Sequence, residues 1–215
     1  RFDPAFEQAI VTLAASWDRT AAIAWPATPA SASIAALDSQ LRAAFRDQRA
    51  YPDFVPELLE LAQASAARGE AESALAASRL AVALYPLSDR AHALQGLILL
   101  RAGKGEAGLA ALRLALERDP LGAASPAALN LEAYRLKGSG AVAQGMAVLQ
   151  AAASLHPRDA NLHDSLAEFY VEQGLRPQAV AAYRQALQLD PRYPGAVGAR
   201  AAILRLGGET KALVP

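Results

Sequence analysis

An all-helical array of repeated hairpins is the fold class that this 215-residue sequence predicts, on three observations. Prolines fall at 52, 86, 120, 157 and 191, spaced 34, 34, 37 and 34. Glycines at 69, 103, 140 and 174 keep the same intervals, as do Ala62, Gly96, Ala133 and Ala167, then Ala74, Gly108, Gly145 and Ala179, then Ala81, Ala115, Ala152 and Ala186. Alanine, the best helix former, is abundant, and β-branched residues never alternate with polar ones over a strand's length. One proline spacing alone would mean little. Five residue classes sharing one set of intervals, with the same three-residue excess, mark an internal repeat.

Each class has a physical task. The glycine ends a first helix in a left-handed conformation that costs glycine little. The proline follows a second helix and cannot continue it. The small residues come from the middle of both helices, where two backbones cross closely. Leu58, Leu61, Leu99, Leu112, Leu129, Leu136, Leu149, Leu166, Tyr170 and Tyr183 fill the remaining core at helical spacing. Such a unit cannot bury its apolar face alone, so stacked neighbours complete one another's core.

In chain order, residues 1–50 form an N-terminal helical extension. Asp3-Pro4 reads as an N-cap with proline in the first turn, and Phe2, Phe6, Ile10, Leu13 and Trp17 give an amphipathic helix to Arg19. Pro26 and Pro29 break the chain, and Ser33 to Gln48 forms a second helix with Ile34, Leu37, Leu41 and Phe45 on one face. Pro52 keeps the beat, but the segment before it lacks the small-residue pattern and reads as a cap. Four repeats follow at 55–88, 89–122, 126–159 and 160–193, together 55–193. The three extra residues lie in Leu121 to Ser125, where a longer turn and a change of pitch are expected. Residues 195–207 form a C-terminal capping helix, apolar on one side (Val197, Ala201, Leu204) and polar on the other (Arg200, Arg205). Residues 208–215 form a loose tail.

The repeats resemble the tetratricopeptide repeat (TPR) family. The last unit carries Leu166-Ala167, Tyr170, Gly174, Ala179, Tyr183, Ala186 and Asp190-Pro191 at the family's places, and the unit from Asp89 carries Gly96, Leu99, Gly103, Gly108, Leu112, Ala115 and Asp119-Pro120. The departures are Leu58, His92, Leu129 and His163 where the family favours a large aromatic, and Gln95 and Glu132 where it favours leucine. The resemblance implies a right-handed α-solenoid of TPR hairpins, closed by the N-terminal cap and the C-terminal capping helix.

Composition excludes several functions. Lys+Arg and Asp+Glu are equal at 21 each, which argues against a nucleic-acid binder held by a basic face and against a polybasic membrane-surface domain. The chain has no cysteine, so thiolate metal sites and cysteine nucleophiles are absent. No run approaches the roughly 20 apolar residues of a membrane span, so no direct membrane insertion is expected. The excess of Arg (18) over Lys (3) hints at a GC-rich bacterial genome, and a soluble protein of the bacterial cytoplasm or periplasm is expected.

No catalytic constellation appears. Gly103-Lys104-Gly105 is a tight turn without P-loop spacing or a preceding strand. His92, His156 and His163 have no metal-ligand spacing; His92 and His163 read as packed between helices and His156 as a surface residue. Asp164 and Glu168 share one helical face and read as a solvated one. Neither enzyme nor cofactor nor metal site is expected.

Binding remains. In proteins of the resembled family, first helices line a concave groove that holds an extended peptide or a partner's helix. Matched face by face, the groove residues here are Gln63, Arg90, Leu97, Arg101, Asn130, Tyr134, Lys137, Asn161, Asp164 and Glu168. Arg90, Arg101 and Lys137 lie toward the first half and Asp164, Glu168 and Glu172 toward the second, so a partner of mixed charge laid in one direction would complement them. Asn130 alone is too little of the family's chaperone-tail clamp to imply chaperone binding. Leu97 and Leu100 make their helix apolar nearly all round, which calls for a cover: a ligand, another protomer or the N-terminal fifty residues. The expected function is a non-enzymatic protein-interaction module. A self-associating scaffold or homodimer, and the accessory domain of a larger bacterial enzyme or envelope protein, are the alternatives.

Overall fold

In a computed structural model, residues 31–46 and 53–208 are described, and all regular structure among them is helical. The expected helix at 2–19, the prolines at 26, 29 and 52, and the tail from 209 lie outside the described residues. The chain divides into two compact units, residues 1–86 and 87–215.

The first unit holds α1 (Ser31–Arg46), α2 (Val55–Ala67) and α3 (Ala71–Leu84). Ile34, Leu37 and Leu41 recur at spacings of three and four, and the fully buried stripe they form puts α1 against α3. Helices α2 and α3 make a hairpin, with Leu58, Ala62, Ala77 and Ala81 at 0% exposure. The Tyr85 hydroxyl accepts from the Phe54 backbone N–H at 2.7 Å, tying the far end of that hairpin to its start.

The second unit holds α4 (Asp89–Arg101), α5 (Gly105–Arg118), α6 (Pro126–Gly138), α7 (Val142–Leu155), α8 (Ala160–Glu172), α9 (Arg176–Leu189) and α10 (Ala196–Arg205). Three hairpins pair α4 with α5, α6 with α7 and α8 with α9, and α10 packs on α9. First helices start on side-chain caps: Ser88 Oγ accepts from Ala91 N–H at 3.2 Å, Ser125 Oγ from Ala128 N–H at 3.4 Å and Asp159 Oδ1 from Leu162 N–H at 2.9 Å. They end on the beat glycines. At Gly103, φ is +73°, its N–H donates to Leu100 O at 3.0 Å, and Lys104 N–H donates to Leu99 O at 2.9 Å, the two bonds of a Schellman closure. Each second helix of the repeats stops two residues before its proline, at Leu84, Arg118, Leu155 and Leu189.

The close crossings fall where the small residues recur. A Cβ at Gly96 would lie 2.9 Å from the Gly108 carbonyl oxygen, and one at Gly145 would lie 2.7 Å from that of Ala133. Not even a Cβ fits between backbones at that distance, so glycine at 96 and 145 is what keeps these crossings closed.

The stacking changes at the three-residue excess: α8 packs on both α6 and α7, whereas the second and third hairpins meet through α7, which packs on α4 and α5. The turn itself is pinned. Ala124 is fully buried, its carbonyl meets His156 Nε2 at 2.9 Å, and Ala123 N–H donates to Asp89 Oδ2 at 3.0 Å. One expectation is corrected, at α10. The stripe Val197, Ala201 and Leu204 faces outward, with Val197 80% and Leu204 60% exposed, while Ala196, Ala199, Ala202 and Ile203 are buried. Four small or apolar residues on the other side of the helix are the better match to the alanine-rich surface of α9.

Candidate functional site

Helices α6 and α8 are first helices of successive hairpins and lie side by side. Residues 34 apart therefore become neighbours, and the pairing is visible atom by atom. The Tyr134 hydroxyl donates to Glu168 Oε2 at 2.5 Å. One turn further, Lys137 Nζ meets Glu172 Oε2 at 2.7 Å. Beneath them Phe169, fully buried, meets Tyr134 edge to face with centroids 5.5 Å apart. The Lys137 ammonium stands 5.0 Å from the Phe169 centroid and 5.7 Å from that of Tyr134, over both rings.

At the other end of α8, Asp164 Oδ1 accepts from the Tyr193 hydroxyl at 2.5 Å. Burial pushes the Asp164 carboxyl above its ordinary range, the Tyr193 hydrogen bond pulls it back, and the Glu168 charge raises it again. Burial and then the bond to Glu168 push the Tyr134 phenol far up, and burial with the bond to Asp164 does the same for Tyr193. Tyr183, buried nearby, is pushed up to about 12, first by burial and then by the Glu168 and Asp164 charges. The phenols therefore stay protonated donors at neutral pH.

Four of the ten expected groove residues thus converge: Tyr134, Lys137, Asp164 and Glu168. Asp164 and Glu168 are half-buried hydrogen-bond acceptors instead of a solvated pair. Asn130 lies one turn from Tyr134 with its Oδ1 buried and without a hydrogen-bond partner among the described residues, and Asn161 is exposed at the start of α8. Gln63 on α2 and Arg90 on α4 are exposed. Leu97 is half-buried. It packs on the core that includes Leu100, Leu112, Val148 and Leu149, and α7 lies against α4, so the cover that Leu97 and Leu100 call for comes from this unit's own second helix. Burial lowers the pKa of Arg101, the Arg135 charge lowers it further and the Glu132 charge raises it. Arg135 is held by Glu132 through Nε and Nη2, both at 2.6 Å. Lys137, expected on the basic side of the groove, is paired with Glu172, expected on its acidic side.

Sequence reasoning did not single out Phe169 or Tyr193. The repeat carried a usable signal for one contact: Glu168 stands 34 residues after Tyr134. Tyr193 sits in the segment between helices and has no such marker. Of the histidines, His92 is buried as expected, His163 Nε2 lies 3.2 Å from Pro157 O, and His156 is half-buried against Ala124 instead of on the surface. Among the described residues no group of three or more His, Asp or Glu is placed to hold a metal ion, and no helix is long and apolar enough to cross a membrane.

No protein-family model matches the sequence, and no curated protein matches it. Solved structures similar to it include MamA from Desulfovibrio magneticus RS-1 (17% identity, 74% of this chain and 96% of that one, TM-score 0.38). Others are PilF of Pseudomonas aeruginosa (19%, 70% and 68%, TM-score 0.38) and TTC0263, a thermophilic TPR protein of Thermus thermophilus (22%, 80% and 91%, TM-score 0.37). Stacked helical hairpins, their close crossings and their beat of 34 residues are shown by this chain itself.

Proposed function

We propose that the chain is a non-enzymatic protein-interaction module that takes an extended peptide or a partner protein along the α6–α8 face. The observation that carries this reading is the line of three carboxylates, Asp164, Glu168 and Glu172, along α8, against Lys137 on α6, whose other cation, Arg135, is taken up by Glu132. Polar groups at fixed spacing on rigid helices suit a partner whose own groups recur along an extended backbone. Tyr134 adds rigid apolar area that loses little entropy on binding. The excess of carboxylates favours basic side chains on the partner, which would compete with Lys137 for Glu172.

The test uses a peptide array of extended dodecamers with lysine, glutamate or serine at every third position, probed with the full chain and with a Glu168→Gln, Glu172→Gln variant. Selective capture of the lysine series by the wild type, lost in the variant, supports the reading. Equal capture of all three series, or identical selection by the variant, contradicts it.

A further inference from the structure

We propose that Tyr134, Phe169, Glu168 and Glu172 form a cation site that the chain keeps filled with its own Lys137, and that a lysine ammonium of the partner takes the place of Lys137 there. The inference rests on the reading of α6–α8 as the docking face and names the group that this face admits. A cation already seated in the site carries it. Lys137 Nζ lies 2.7 Å from Glu172 Oε2, and the Phe169 and Tyr134 ring centroids are 5.0 and 5.7 Å away. A carboxylate and two ring faces around one ammonium are the surroundings that an alkylammonium ligand requires.

The frame stands without its own occupant. Phe169 is fully buried in the core, Tyr134 meets it edge to face, and the Tyr134 hydroxyl is fixed on Glu168 Oε2 at 2.5 Å. Glu168 and Glu172 lie one turn apart on α8, so the frame is negative unless a cation sits in it. Lys137 is the part that can leave. It stands in the last turn of α6, with its side chain 29% exposed and that of Glu172 42% exposed. An ion pair so open to water holds weakly, and the flexible four-carbon stem of lysine can swing into solvent.

The hairpins do not require the pair. One repeat earlier (37 residues back on α6, 34 back on α8), the places of Tyr134, Lys137, Glu168, Phe169 and Glu172 fall to Leu97, Leu100, Tyr134, Arg135 and Gly138. That set has no carboxylate, yet the hairpin of Leu97 and Leu100 closes on the same glycine turn as the others. The cation site is therefore an addition at α6 and α8 and not a condition of stacking.

The experiment follows by anisotropy the binding of a fluorescent dodecamer of the lysine series to the full chain and its variants. Lys137→Ser is expected to bind at least fivefold more tightly than wild type. The gain should vanish when Glu172→Gln is added, and also with a peptide whose lysines are Nε-acetylated. Arg135→Ser removes the same charge from an exposed position of α6 and releases Glu132, and should stay within twofold of wild type. Thermal melting checks folding, and Lys137→Gln replaces the serine variant if that one is unfolded. Equal or weaker binding by the folded Lys137 variant, an equal gain from Arg135→Ser, or a gain that survives Glu172→Gln or acetylation overturns the cation site. If wild type still selects the lysine series in those cases, the α6–α8 reading stands without it. Absence of binding by wild type and variant alike overturns both.

Discussion

Helices α8 and α10 hold the same register in the repeat and live in different surroundings. Helix α8 is covered twice, by α6 and α7 on one side through Leu162 and Phe169 and by α9 on the other through Ala167, all three at 0% exposure. Helix α10 is covered once, through Ala199 and Ile203 at 0–1% exposure, and turns Ala201 to solvent. Composition does not separate the two, because both carry apolar residues on both faces. A repeat position acquires its meaning from the presence of the next element, and substitutions at matched positions are the way to break or sharpen that comparison.

The largest contrast is expected at the third position of the open face. Leu136→Ala removes a side chain 1% exposed and should cost about 2–5 kcal/mol, whereas Leu204→Ala removes one that is 60% exposed and should stay within about 0.5 kcal/mol. Denaturant unfolding measures both, and equal losses would deny that the two faces differ. Next come the helix starts. Asp159→Ala removes the side-chain acceptor for Leu162 N–H, and about 1 kcal/mol of stability should go with it. Helix α10 begins at Gly195 with no such cap, so Gly195 offers no equivalent loss. Smaller again is Tyr134→Phe, which leaves Glu168 without its donor and should cost roughly 0.5–1.5 kcal/mol by the same measurement.

The smallest effect is a pH dependence. The folded Asp164 carboxyl lies above its ordinary 3.8, so its contribution is full below 3.8 and is lost as pH rises through the folded value. Asp164→Asn has no proton to lose there, and its side-chain oxygen can still accept from Tyr193. The melting temperature of the variant relative to wild type should therefore rise from pH 3 to pH 7. A difference that does not change with pH would show that burial does not govern this carboxyl.

What the sequence made legible was what repeats. The hairpins, the glycine closures and the Gly96–Gly108 crossing follow from intervals of 34 and 37, because each depends on backbone contacts that recur in every unit. What it hid was what differs between units. Leu97 reads as a groove residue by helical face, yet α7 lies against its helix, because the junction at Leu121 to Ser125 changes which helix faces backward. Face-matching places Tyr134 and Glu168 in one groove, and their separation of 34 residues, one repeat, is the mark of the bond between them. The stripe Val197, Ala201, Leu204 was seen in sequence, and its direction was not, since a helix with two apolar sides carries no mark of which side its neighbour takes.

The most direct measurement sets Ala167→Trp against Ala201→Trp by thermal melting. The account predicts a clear loss of stability for Ala167→Trp, with overpacking worth about 1–3 kcal/mol or more, and a melting temperature close to wild type for Ala201→Trp. Equal losses, or a tolerant Ala167, would mean that the two helices do not share one register with one face closed and the other open.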